Sequence, residues 1–475
     1  MMKIYSNSNA FEYDIQNLVK SFYPQENVRL VYDENEKDTA FSVLFSDDKI
    51  TFADATNAFS ESVAISVNAQ RGEVKNILKR LIYKTLSKYL DKELAWGDLS
   101  GIRPTKIAMK KLEEGASEEE TVNFMKETYL ASDEKSRLSV SIASLERKIL
   151  KPLHYKDGYS LYIGIPFCPT TCMYCSFTSY SIARFSNKVA DYLSALEKEL
   201  SFVSNHFKDK ILDTIYIGGG TPTTLSADEL ERLLSFVCSK FDLSHLIEFT
   251  VEAGRADSIT LDKLKVLKKY NVTRISVNPQ TMNQKTLDII GRRHTVEDVK
   301  RAFYEAREAG HDNINMDIIL GLPEEGIDEV RRTVEGIKEL GPDSFTVHSL
   351  AIKRASRMQE WIDKCGYKTM INTDETMKMA KDCAYDMGMQ AYYLYRQKNM
   401  AGNFENTGYA KENAYGIYNI LIMEEMQTIV ACGAGTVTKR VFSDGSAKRC
   451  DTHKDVDLYI SMIDDMIERK RKLFE

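Results

Sequence analysis

Apolar and polar positions change rhythm along the chain near residue 157. Before that point, alternation through Thr39-Ala40-Phe41-Ser42-Val43-Leu44-Phe45 and Lys49-Ile50-Thr51-Phe52 is split by the polar turn Ser46-Asp47-Asp48. This predicts a hairpin, which Val63, Ile65 and Val67 extend. Val74, Ile77, Leu78, Leu81, Ile82 and Leu86 recur at helical spacing and predict a helix over residues 73–90. A run from Trp96 to Thr105 with two glycines breaks that helix, Pro104 opens another, and Ser117 with Glu120 makes a capping box for the next. Residues 1–156 are expected to form a small α+β N-terminal domain.

Beyond it, strand-like runs at 161–165, 214–217, 247–252, 274–278, 314–320 and 344–350 alternate with helical ones. Ser226 with Glu229 and Thr295 with Asp298 are capping pairs, and Gly341-Pro342 stops the last helix. Six successive βα units imply parallel strands joined by right-handed crossovers. Six are too few to close an eight-stranded barrel, so the expected fold class is α/β, a partial (β/α)6 barrel over residues 157–355, open along one side. Residues 356–475 carry a helical run at 373–387, then Tyr392-Tyr393-Leu394-Tyr395-Arg396 and a glycine turn, Cys432-Gly433-Ala434-Gly435-Thr436. With a charged terminal helix at 456–472, they read as a mostly helical C-terminal domain that covers the barrel.

Composition narrows the function classes. With 43% hydrophobic residues among 475, the chain has enough apolar surface for packed cores. A net charge of −6 argues against a nucleic-acid protein held by a general basic field. No stretch approaches a membrane span. Residues 1–14 have neither a signal peptide's apolar core nor a transit peptide's Arg-rich pattern. The eight cysteines form no disulfide framework, so a cytoplasmic protein is expected.

The candidate chemistry begins with those cysteines. Cys168, Cys172 and Cys175 follow the first barrel strand as Cys-x-x-x-Cys-x-x-Cys. Zinc takes four closed ligands, usually as two short pairs, whereas Cys238, Cys365, Cys383, Cys432 and Cys450 are single and dispersed. A [4Fe–4S] cluster normally takes four thiolates. Three ligands would leave one iron open to a small molecule. In parallel α/β folds functional groups gather at the carboxyl ends of strands. Gly218-Gly219-Gly220-Thr221 follows the second strand, Glu252 ends the third, Gln280 follows the fourth and Asp317 lies within the fifth, so these groups are expected to share one rim. The glycine run suits close approach of a backbone to a ligand; alone, it equally suits a tight strand-to-helix turn.

The cysteine loop followed by Gly-Gly-Gly-Thr-Pro resembles the radical S-adenosylmethionine superfamily. More narrowly, Tyr162-Ile163-Gly164-Ile165-Pro166-Phe167-Cys168, the Gly-Gly-Gly-Thr-Pro-Thr run, Gln280, Gly291-Arg292 and the segment from Asp317 to Pro323 resemble the oxygen-independent coproporphyrinogen III oxidase group. Segments 96–105 and 392–406 are similar to its coproporphyrinogen dehydrogenase-like branch with an extended N-terminus. The resemblance implies that Cys168, Cys172 and Cys175 hold a [4Fe–4S] cluster and that S-adenosylmethionine chelates its fourth iron. It places Tyr162, Gly219, Gly220 and Thr221 beside the methionine, and Glu252, Gln280, Arg292 and Asp317 on its carboxylate and ribose. It further implies a second cofactor molecule near the Cys432–Thr436 turn and a reduced flavodoxin or ferredoxin-type electron donor. The implied substrate is a tetrapyrrole, coproporphyrinogen III, whose propionates are oxidatively decarboxylated to vinyl groups. Lys353, Arg354, Arg357 and Arg396 are candidates for its carboxylates. One position departs: the decarboxylases of the group carry a further cysteine two residues after the third ligand, and here Phe177 stands there. Sister proteins without that cysteine include a haem chaperone, so haem binding and transfer, or radical methylation or ring opening of haem, stay open as alternatives. A haem carrier would need an exposed ligand, and His294, His311 and His348 are the barrel's histidines.

Overall fold

The computed structural model describes residues 1–475 apart from 25, 37, 57, 100, 102, 156, 354–355, 367–369 and 398–403. In the N-terminal region, β1 (Met2–Ser6), β2 (Val28–Val31), β3 (Thr39–Phe45), β4 (Lys49–Asp54) and β5 (Ser60–Ala64) form one sheet in the order β2-β1-β3-β4-β5. The expected hairpin is β3–β4, with Val43 opposite Phe52. β5 ends before Val67, which is 82% exposed. Helices Glu12–Phe22 and Arg71–Leu90 bury Ile15, Leu18, Leu78 and Ile82 against Ile4, Phe41 and Phe52 of the sheet.

The barrel strands are β6 (Gly158–Ile165), β9 (Ile211–Gly219), β10 (Glu248–Gly254), β11 (Arg274–Val277), β12 (Ile314–Leu320) and β13 (Ser344–Ser349); a short parallel pair, β7 (Phe167–Cys168) and β8 (Tyr180–Ser181), brackets the cysteine loop. The six are parallel and lie side by side in chain order. Helices cross between successive strands, and capping boxes form at Ser226 and Thr295 as the sequence predicts. Runs such as Ile163 and Ile165, Ile215 and Ile217, and Ile275 and Val277 are fully buried or nearly so, as parallel strands covered by helices require.

The C-terminal residues add strands to this sheet. β14 (Gln390–Tyr395) and β15 (Asn406–Ala410) extend it beyond β13, whereas β16 (Ile429–Cys432), β17 (Val437–Val441) and β18 (Ala447–Asp451) extend it beyond β6. Among the described residues the sheet thus has eleven strands and remains open. β16 is the parallel neighbour of β6, with Val430 opposite Leu161. Its four residues are all apolar and buried, too short a run for periodicity to identify, and pairing there covers an edge that β6 would otherwise expose. By packing, the chain divides into two units, Met1–Ser144 with Tyr395–Glu405, and Leu145–Leu394 with Asn406–Glu475. No helix among the described residues is long and apolar enough to cross a membrane.

Candidate active site

The cysteine loop is tied to the glycine turn through the backbone. The amide of Gly220 donates to the Ile165 carbonyl at 2.7 Å, and that of Thr221 to the Phe167 carbonyl at 2.7 Å. A Cβ on Gly220 would stand 2.5 Å from the Phe167 oxygen, and Gly219 has a left-handed φ of 109°, so both positions demand glycine. These two amides are therefore committed, and what the turn leaves for a ligand is a surface without Cβ atoms. Cys168 Sγ lies 3.4 Å from Thr221 Oγ1. Cys168 and Cys172 are buried and Cys175 is half-buried. Burial pushes the Cys168 and Cys175 thiols up, and charge on neighbouring cysteines of the triad adds to the rise. Among the described residues no three His, Cys, Asp or Glu side chains gather round a single metal ion. A cubane asks for something different, since each of its thiolates binds a separate iron.

Two arginines brace the loop. Arg255, just past β10, donates to the Thr170 carbonyl at 2.9 Å and to Cys172 Sγ at 3.4 Å, and pairs with Asp257 at 2.6 Å. Arg292 donates to the Asn278 carbonyl and, at 3.2 Å, to Tyr174 OH. Thr170 Oγ1 reaches the Gly291 carbonyl at 3.0 Å, and the Met173 amide reaches that of Ile290 at 3.0 Å. Arg292 thus stands on the cysteine side of the rim, apart from Asp317.

The other predicted residues line the lumen. Tyr162 and Tyr216 are cross-strand partners, stacked with centroids 6.0 Å apart, and Tyr418 of helix Ile417–Glu424 stacks on Tyr216 at 4.4 Å. Tyr216 OH donates to Glu252, whose carboxyl would be 3.0 Å from a Cβ at Gly218. Burial, with the charge of Asp317 adding to it, pushes Glu252 up to about 7 against the Tyr216 hydrogen bond. Asp317 goes the other way: burial opposes its charge, but His348, Asn315 and Thr346 hold the carboxyl below the usual range. Asn315 Nδ2 donates to Asp317 at 2.6 Å, and His348 Nε2 lies 3.9 Å away. Gln280, with φ 70°, is clamped to β12 by backbone bonds to Asp317 and Ile319.

Several buried polar atoms have no hydrogen-bond partner, and a group of them stands here: Ser276 Oγ, Asn278 Oδ1 and Gln280 Oε1 along and just beyond β11, and Arg292 Nε on the side chain that reaches the Asn278 carbonyl. Such atoms are costly unless a polar ligand or water meets them. A ligand bearing an amine, a carboxylate and ribose hydroxyls fits that need.

The remaining sequence candidates scatter. Arg396 is buried in the N-terminal unit, donating to the Leu99 carbonyl over the Trp96 ring. Arg354 lies outside the described residues. Lys353 sits over the exposed Phe177 ring, and Arg357 donates to the Thr171 carbonyl at 2.7 Å. His294 and His311 are buried. The Cys432–Thr436 turn has no amide to spare: Gly433 donates to Glu199, Ala434 to Tyr192, Gly435 to the His453 carbonyl and Thr436 to Thr452. Its glycines serve packing, since a Cβ on Gly433 would meet the Gly164 oxygen at 2.4 Å. Sequence reasoning passed over Arg255, Tyr174, Tyr216, Asn278 and Tyr418. Position alone could have found two of them: Arg255 directly follows a strand's carboxyl end, and Tyr216 stands two residues before Gly218 on the same face.

Open parallel sheet, cysteine loop and glycine turn together define a radical S-adenosylmethionine protein, and residues 162–337 match the model of the Radical SAM superfamily. Proteins of that superfamily use a [4Fe–4S] cluster and S-adenosylmethionine. The chain belongs to the oxygen-independent coproporphyrinogen III oxidase-like family: it is 41% identical over 411 residues to the Bacillus subtilis oxygen-independent coproporphyrinogen-III oxidase-like protein HemZ, covering 85% of this chain and 81% of that one. It is also 38% identical over 195 residues to the heme chaperone HemW of the same organism, spanning 41% of this chain and about half (51%) of that protein. Among solved structures, the fold is shared with coproporphyrinogen III oxidase (HemN) from Escherichia coli at a TM-score of 0.52 and 19% identity, over 69% of this chain and 73% of that one.

Proposed function

We propose that this chain is a radical enzyme of anaerobic porphyrin biosynthesis that oxidatively decarboxylates the propionates of coproporphyrinogen III to vinyl groups, or carries out a closely related tetrapyrrole reaction. The observation that carries the reading is the group of unpartnered polar atoms at Ser276, Asn278, Gln280 and Arg292: β11 runs between the strands that carry Glu252 and Asp317, and Arg292 reaches Tyr174 of the cysteine loop. When bound, the cluster and S-adenosylmethionine supply radical hydrogen abstraction. In this reading Cys168, Cys172 and Cys175 hold the cluster. Tyr162, Gly219, Gly220 and Thr221 flank the cofactor's methionine, with Gly219 and Gly220 admitting it closely. Arg292 offers the carboxylate a forked donor, while Gln280, Asp317 and Glu252 accept from amine and ribose groups. Arg255 and Arg292 fix the loop, and the stacked rings of Tyr162, Tyr216 and Tyr418 fill one side of the lumen, which limits water at the reacting centre.

A second reading, haem binding and transfer, is favoured by the similarity to HemW and by Phe177 in place of a fourth cysteine of the loop. Against it, His294 and His311 are buried and His348 is engaged by Asp317. The deciding assay is anaerobic incubation of the reconstituted protein with reductant, S-adenosylmethionine and coproporphyrinogen III. Formation of 5′-deoxyadenosine with a mass loss matching CO2 is the expected result. Cofactor cleavage without decarboxylation would move the proposal to another reaction on haem, and stoichiometric haem binding without cleavage would overturn the enzyme reading.

A further inference from the structure

The cysteine loop turns part of its length to solvent. Phe177 is 71% exposed and Thr171 is exposed, although Cys168 and Cys172 beside them are buried. Next to them is a surface cavity of about 280 Å³, with Met173 and Ile290 on one side and Arg357, Trp361 and Lys364 on the other. Arg357 donates to the Thr171 carbonyl at 2.7 Å, and Lys353 Nζ stands 5.5 Å from the Phe177 ring centre. Among the described residues Arg357 and Lys364 line the cavity with Glu360 as its one acid, Asp363 precedes Lys364 on the same helix, and Lys353 stands over Phe177 at the loop, a cationic majority of three to two in a chain of net charge −6. Trp361 is half-buried here, whereas the chain's other tryptophan, Trp96, is 1% exposed.

We propose that this patch is the docking surface for an acidic one-electron carrier protein that reduces the cluster; the inference rests on the reading of Cys168, Cys172 and Cys175 as cluster ligands. The step moves one electron from the reduced carrier to the oxidised cluster, so the carrier is oxidised by one electron and no bond or proton changes place. Thr171 and Met173 adjoin Cys172 in the chain, so a partner seated here stands one residue from a ligand. Opposite charge steers encounter and sets register, and tryptophan and arginine are the side chains that most often anchor protein interfaces. The cavity falls short of the ~300–1,000 Å³ of small-molecule sites. It offers a foothold for partner side chains, and a whole tetrapyrrole would overfill it.

The test uses the reconstituted full chain, the Lys364→Glu and Trp361→Ala variants, and a photoreduced plant-type [2Fe–2S] ferredoxin as the acidic carrier. Bleaching of the cluster by ferredoxin at low salt should slow at least tenfold in Lys364→Glu, and the wild-type rate should fall as salt rises. Dithionite should bleach all three proteins equally. Calorimetric binding of oxidised ferredoxin should weaken in parallel in both variants. Equal ferredoxin rates and affinities in wild type and variants would overturn the proposal, as would a raised KM for coproporphyrinogen III with unchanged ferredoxin reduction. If the cluster assignment itself is wrong, the reconstituted wild type shows no visible absorbance before any carrier is added. The calorimetric arm needs no cluster and still decides the docking surface.

Discussion

Glu252 holds a carboxyl where the fold resists its charge. Burial, reinforced by the charge of Asp317, lifts it from 4.5 to about 7 despite the bond from Tyr216. Below pH 4.5 the group is protonated in folded and unfolded chains alike and costs nothing. As pH rises from there towards 7, the unfolded chain ionises first, so stability is lost across that window. Because the carboxyl faces a partly open lumen, the loss should be about 1–3 kcal/mol, from 1.36 kcal/mol per pKa unit. Urea denaturation of the metal-free protein at pH 5 and pH 8 checks this: wild type should lose stability relative to Glu252→Gln, and parallel behaviour of the two would show that the carboxyl titrates normally. Gly220→Ala tests a different constraint, since its new Cβ meets backbone at Phe167 and Ile165. We expect about 1–3 kcal/mol of strain, together with loss of iron and visible absorbance on reconstitution while far-UV circular dichroism persists. At this scale the sequence was legible wherever chemistry was local. The cysteine spacing and glycine run announce themselves, whereas Arg255, Asn278 and Tyr216 act through partners 36 to 85 residues away or, for Asn278, through an atom left unpartnered.

Elements were legible where periodicity had room to repeat. The six barrel strands, their crossovers and the capping boxes at Ser226 and Thr295 follow from pattern alone. β16 did not, because four apolar residues carry no period and only the bare edge of β6 explains their pairing. The same neighbourhood buries an ion pair: Lys470 and Glu199, both 0% exposed, lie 2.5 Å apart, and Glu199 also accepts from Tyr459 OH and the Gly433 amide. This joins the terminal helix Ile463–Phe474 to helix Val189–His206 and to the turn beside β6. Removing one partner of a buried pair leaves the other uncompensated, at a cost of about 3–5 kcal/mol. Lys470→Met should therefore lower the denaturation midpoint sharply, and adding Glu199→Gln should recover much of it. Similar midpoints for the single and double variants would show that Glu199 is held by Tyr459 and Gly433 alone.

At the scale of the whole molecule, the chain returns to its beginning late. Of the stretch where β14 ends and β15 has yet to begin, the described residues 395–397 and 404–405 group with the N-terminal unit. Trp96 Nε1 donates to Glu405 Oε2 at 2.8 Å, Lys135 Nζ reaches Oε1 at 2.6 Å, and Arg396 bonds the Leu99 carbonyl with its guanidinium over Trp96. In the sequence, segments 96–105 and 392–406 stood out separately. Trp96 is buried, and a separation of 309 residues hides the bond from any local pattern. Lys135→Met withdraws the buried cation from a carboxylate that is 2% exposed, which should cost about 3–5 kcal/mol. The loss should fall on the N-terminal unit and its borrowed segment, because none of the cysteine-loop residues lies in that unit. Limited proteolysis should then cut within residues 395–405 faster than in wild type, while the reconstituted variant keeps its cluster absorbance. Pairing Lys135→Met with Glu405→Gln should slow that cleavage again, since the neutral amide can still accept from Trp96 without needing a cation. Unchanged cleavage in the single variant would mean that Trp96 and Arg396 hold the segment unaided, and loss of cluster absorbance would mean that the N-terminal unit supports the site as well as its own fold.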